Sequence, residues 1–95
     1  MRDYFFSEVF SAGISNMEIF GTLKDDVEGV LEGINCTVLA YGITGSGKTF
    51  SVFGHPKTDR GLSHLAFEHL FTRKKELEGP NLKIEMRFSF IEIYN

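Results

Sequence analysis

Residues Cys36-Thr37-Val38-Leu39-Ala40-Tyr41 run without a charge straight into Gly42-Ile43-Thr44-Gly45-Ser46-Gly47-Lys48-Thr49. Six uncharged residues with little alternation suit a strand covered on both faces, as in a parallel sheet. The eight that follow match G-x-x-x-x-G-K-[ST] in full, the phosphate-cradling loop between a strand and a helix. A triphosphate is a dense anion. It is held best by backbone N–H groups at a helix N-terminus, where unpaired donors and the helix dipole both face the ligand. Gly42, Gly45 and Gly47 let the backbone approach phosphate without a Cβ in the way, and tolerate positive φ where the loop curls. Lys48 supplies a flexible charge for the β- and γ-phosphate oxygens. The Thr49 hydroxyl is placed to ligate Mg²⁺. The pattern predicts a nucleoside triphosphate site at Gly42–Thr49.

Working outward, the helix demanded by the loop begins at Gly47 or Lys48 and fades near Phe53-Gly54, because His55-Pro56-Lys57-Thr58-Asp59-Arg60-Gly61 is loop chemistry. Upstream, Ser15 with Glu18 three residues on reads as a capping box. The helix it opens runs from about Asn16 to Glu32, with Ile19, Phe20, Leu23, Val27, Val30 and Leu31 on one face. Gly33 and Asn35 stop it. Downstream, Leu62, Leu65, Ala66, His69, Leu70 and Leu77 predict a second amphipathic helix ended by Gly79-Pro80-Asn81. Tyr4–Phe10 reads as a short strand or extended entry. From Leu82 apolar residues alternate with polar ones through Phe90, then change parity at Ile91 and Ile93, as a strand covered on both faces near its end, or a bulge, would. The order strand, helix, strand, loop, helix, strand predicts an α/β fold: a partial P-loop NTPase domain with a central, mostly parallel sheet flanked by helices, and incomplete.

Ninety-five residues make at most one small domain, and a net charge of −3 offers no broad basic field for nucleic acid or an anionic membrane. No apolar run approaches the roughly 18 residues of a membrane span, and the N-terminus lacks the pattern of a signal peptide. The single cysteine, Cys36, reads as a buried free thiol of a reducing compartment. His55, His64 and His69 contain no i, i+4 pair and no cysteine or carboxylate cluster converges on them, so no metal site is expected from them.

Binding is not hydrolysis. Turnover needs an acidic residue at the end of another strand to support Mg²⁺, and a group that positions the attacking water. No hydrophobic run ending in Asp follows Thr49; Asp59 lies in a loop, and Glu85 and Glu92 lie within the last candidate strand. The sequence names no catalytic residue.

The words around the loop are more specific than the loop. Val27-Glu28-Gly29-Val30-Leu31-Glu32-Gly33-Ile34-Asn35-Cys36-Thr37-Val38-Leu39-Ala40-Tyr41, continuing through Thr49, resembles the kinesin motor domain. That family carries V-x-x-V-L-x-G-Y-N, then T-(V/I)-F-A-Y-G and G-Q-T-G-S-G-K-T. Phe6-Ser7-Glu8-Val9-Phe10 is similar to its F-D-x-V-F, Leu65 to Phe71 with Glu68-His69-Leu70-Phe71 to the helix after the loop, and Phe88-Ser89-Phe90-Ile91-Glu92-Ile93-Tyr94-Asn95 to its strand ending S-(F/Y)-x-E-I-Y-N. The resemblance implies ATP and Mg²⁺ as ligands, the microtubule as partner, a cytoplasmic, cytoskeletal location, and microtubule-dependent ATPase activity coupled to movement. It also implies that Phe50, the residue after Thr49, packs on the adenine, as an aromatic face can. Departures are Ile43 in place of the family Gln, Ser7 in place of Asp, and His64-Leu65 in place of Pro-Arg. The family's first strand with R-x-R-P, both switch motifs and the tubulin-gripping helices have no counterpart, so residues 1–95 are expected to be a partial motor domain. The alternative is a truncated or degenerate kinesin-like nucleotide-binding module without ATPase activity. Either way, the chain alone is expected to be marginally stable, with apolar faces and sheet edges exposed.

Overall fold

Helix α1, Asn16–Gly29, starts where Ser15 takes an extended conformation and its Oγ accepts the Glu18 N–H at 3.2 Å. The capping box is half formed: the Glu18 carboxylate takes the Ser15 hydroxyl at 3.3 Å. A 3₁₀ turn, Val30–Glu32, tightens the end of α1, and Gly33 at φ 87° stops it in the left-handed region. Helix α2 is short, Lys48–Val52. Helix α3 spans Leu62–Leu77, with Lys74 and Lys75 beside its C-terminal carbonyls, where cations are favoured. Helix α1 falls where its capping residue and apolar spacing place it, α3 where apolar spacing does, and α2 where the glycine-rich loop demands a helix. The structure, a computed structural model, describes residues 2–94.

Helices α1 and α3 pack on each other. Phe20, Val27 and Leu65 are buried between them, with Leu62, Ala66 and Leu70 against this cluster. At the edge of the contact Glu28 ties the helices together: one carboxylate oxygen meets His69 Nε2, the other accepts Arg73 Nε–H at 2.6 Å. Those two hydrogen bonds, His69 first, hold the Glu28 carboxyl below the usual carboxylate range. A carboxylate depressed on folding adds stability above its unfolded pKa, and that stability is lost as pH falls through the lower folded value. Acid should therefore loosen α1 from α3 from about pH 4 downwards. Glu28→Gln should flatten this pH dependence, checked by an acid titration followed by circular dichroism; an unchanged acid limb would mean that Glu28 does not tie α1 to α3.

The expected sheet is the main correction. Among the described residues the only ladder is a two-residue antiparallel hairpin, β1 Gly54–His55 against β2 Asp59–Arg60, inside the stretch read as loop. Residues 4–10, 36–41 and 83–94 carry no strand pairing, so no central parallel sheet is found among the described residues. A strand exists only through its neighbours' hydrogen bonds, and these three segments do not supply them to one another. The last segment instead lies along α3, where Phe88 sits edge-on to Phe67 at 4.8 Å and tilted to Phe71 at 5.8 Å. Leu39, Tyr41, Phe5, Ile91 and Ile93 are all at least four-fifths exposed. Cys36, expected to be buried, is half-buried.

The molecule is accordingly drawn out, 59 × 32 × 27 Å with a radius of gyration of 15.9 Å, against about 12 Å for a compact chain of this length. A core of three buried apolar side chains removes little surface from water. The 95-residue chain alone should unfold in a broad, weakly cooperative transition. A sharp calorimetric melt would contradict this.

Candidate functional site

The site is built on the turn from Gly42 into α2. Gly45 at φ 81° and Gly47 at φ 99° both occupy the left-handed region, and a Cβ at either would meet nothing within 4 Å. Backbone conformation, not crowding, requires glycine at these two positions. Ser46 N–H closes the loop on Ile43 O at 3.1 Å. Beyond it the chain enters α2 with Gly47 as cap and no side chain capping the helix. Among the described residues the N–H groups of Gly47, Lys48 and Thr49 have no hydrogen-bond acceptor. Such first-turn donors are the ones a phosphate satisfies.

Lys48 lies across the loop. Its ammonium donates to Gly42 O and, at 2.9 Å, to Ile43 O. The Gly42–Ile43 end of the loop is thereby tied to the helix-side end by a charge on a flexible stem. Gly42 is tight as well: a Cβ there would stand 2.5 Å from Ser46 Oγ. Ile43 contributes its carbonyl, while its side chain is 82% exposed and lines no part of the depression. That depression, about 400 Å³, is lined by Thr44, Gly45, Gly47, Lys48, Thr49 and Phe50. The structure thus brings together Gly45, Gly47, Lys48, Thr49 and the half-exposed Phe50, while Gly42, Ile43 and Ser46 lie outside the lining. No carboxylate lines the depression, and among the described residues no cluster of His, Cys, Asp or Glu is arranged to hold a metal.

The donor set fits a nucleoside triphosphate with Mg²⁺. Free N–H groups at a glycine-capped helix start and an ammonium are donors for phosphate oxygens, and an exposed threonine hydroxyl is a hard oxygen ligand for a hydrated cation.

Two contributors were not visible in the sequence as site residues. Asn16, read as a helix-entry residue, is 1% exposed, and its Nδ2 donates to Phe50 O at 3.0 Å. Asp59, read as a loop acid, accepts the Asn16 backbone N–H through Oδ2 at 3.1 Å. For Asn16 the only signal is a polar residue directly after an N-cap, and for Asp59 there is none.

The model of the kinesin motor domain family matches residues 1–95. Kinesin-like protein KIN-14D of Arabidopsis thaliana is 37% identical over 92 residues, covering 95% of this chain and 12% of its own length. Kinesin-like protein KIP2 of Eremothecium gossypii is 38% identical across 98% of this chain and 14% of its own, and kinesin-like protein KIFC1 of Rattus norvegicus 38% across 99% and 14%. The chain therefore spans about an eighth of the length of these curated relatives. No helix among the described residues is long and apolar enough to cross a membrane. With the match running end to end, the chain belongs to the kinesin motor domain family.

Proposed function

We propose that this chain is the nucleotide-binding part of a kinesin-like microtubule motor and takes ATP with Mg²⁺ at Gly42–Thr49. The observation that carries the reading is the helix start at Gly47–Thr49. Its N–H donors have no acceptor among the described residues, and they open onto a depression that also holds Lys48. The Thr49 hydroxyl would hold Mg²⁺, which would supply positive charge against that of the phosphates.

The chain's own residues divide the work. Gly45, Gly47, Lys48 and Thr49 turn backbone donors toward phosphate. Lys48 exchanges the carbonyls of Gly42 and Ile43 for phosphate oxygens, so its ammonium stays hydrogen-bonded on either side of binding. Thr49 offers its hydroxyl to the cation. Phe50, half exposed at the rim, offers a face for the adenine.

A second reading has its own support: no acid lines the depression, and the Asp59 carboxylate is engaged with the Asn16 N–H. On this reading the 95 residues bind without hydrolysing. Coupling to movement, the microtubule and a cytoskeletal location then belong to the motor as a whole. The test is a titration with a fluorescent ATP analogue with and without Mg²⁺, followed by phosphate release with and without microtubules. Mg²⁺-dependent binding without release by the 95-residue chain is expected. Absence of binding would remove the nucleotide reading; turnover would remove the division between binding and hydrolysis.

A further inference from the structure

Helix α2 is five residues long, too short to hold its own orientation. Its C-terminal carbonyls are taken by donors from elsewhere. Ser63 Oγ–H donates to Val52 O at 2.7 Å, and Gly61 N–H to Phe53 O at 3.2 Å. Both donors come from the hairpin–α3 junction. Asn16 is the third: its Nδ2 donates to Phe50 O, and it is the one donor of the set from α1. The Asn16 backbone is itself held by Asp59 of β2. Asn16 is also the most deeply buried polar side chain among the described residues. A buried amide is retained at a cost unless its hydrogen bonds are made, and here the bond goes to the helix that carries the phosphate donors.

We infer that Asn16 is a positioning residue for the triphosphate cradle. It fixes the tilt of α2, and with it the direction of the Gly47–Thr49 N–H groups, from the N-terminus of α1. Displacing that terminus moves the cradle, and filling the cradle pulls on α1 through the same bond. The inference rests on the nucleotide reading for its effect on affinity, but not for its effect on the loop.

The test compares Asn16→Asp with Val27→Ala in the whole protein. Asn16→Asp keeps the shape of the side chain but sets an acceptor against Phe50 O. Val27→Ala weakens the α1–α3 core and removes no hydrogen bond to α2. Two quantities are read: affinity for the fluorescent Mg²⁺–ATP analogue, and the amide resonances of Gly45 and Gly47 without nucleotide. Asn16→Asp should weaken binding about 10-fold, the worth of one lost hydrogen bond with its acceptor left unpaired, and shift both resonances. Val27→Ala should lower stability and leave affinity and resonances alone. Unshifted resonances in Asn16→Asp, or equal losses of affinity in both variants, would overturn the inference. If the wild-type protein binds no analogue, the nucleotide reading falls, and the resonances alone still decide the role of Asn16. An Asn16→Gln variant that restores the wild-type resonances would support the hydrogen bond as the cause.

Discussion

Replacing Lys48 with alanine should lower affinity for Mg²⁺–ATP by about 100-fold, as expected for lost charge-assisted hydrogen bonds to phosphate. The side chain lies over the loop and donates only to backbone oxygens, so its removal opens no core. The loss should therefore appear in binding and not in the packing of α1 on α3. Lys48→Arg should recover only part of it: the charge survives, but a planar fork does not replace a compact ammonium between two carbonyls. The check is titration of each variant by analogue fluorescence, with hydrogen exchange of the α3 amides as the control for folding. Near wild-type affinity in Lys48→Ala would place the phosphates elsewhere.

The second large effect is at Gly61, where a Cβ would stand 2.2 Å from Val52 O and 2.3 Å from the Phe53 carbonyl carbon. Both neighbours are backbone, so no flexible side chain can yield. Gly61 is buried, and its φ of −76° is open to any residue, so contact and not conformation demands glycine. Gly61→Ala should push α2 off the hairpin–α3 junction at a cost of about 3 kcal/mol. The Gly61 N–H bond to Phe53 O would break with it. Exchange at the amides of Phe53 and Gly61 should then speed up about 100-fold. Unchanged exchange would mean that the junction relaxes freely and does not anchor α2. Because α2 carries the cradle, ATP affinity should fall in the same variant.

These two glycine-and-lysine effects mark how much could be read from the chain. The loop was legible because each fixed position answers a local need: positive φ at Gly45 and Gly47, a charge at Lys48, a hydroxyl at Thr49. Helices α1 and α3 were legible from Ser15 and from apolar spacing, since capping and amphipathicity are written within a few residues of one another. Sheet pairing is not local. The run Cys36–Tyr41 has the composition of a buried strand, yet among the described residues it finds no ladder partner. The hairpin at Gly54–Arg60 was hidden because each of its strands has two residues, too few for alternation to register. Asn16 matters through an atom 34 residues away, beyond any window of sequence, and Gly61 through a backbone-to-backbone contact that residue type and spacing do not encode.

The central claim is that the free N–H groups at the start of α2 receive a triphosphate. The most direct measurement follows the backbone amide resonances of the protein as Mg²⁺–ATP is added. Saturable shifts led by Gly45, Gly47, Lys48 and Thr49 are expected, abolished by Lys48→Ala at the same nucleotide concentration. Shifts absent from these four amides, while others respond to ATP, would contradict it.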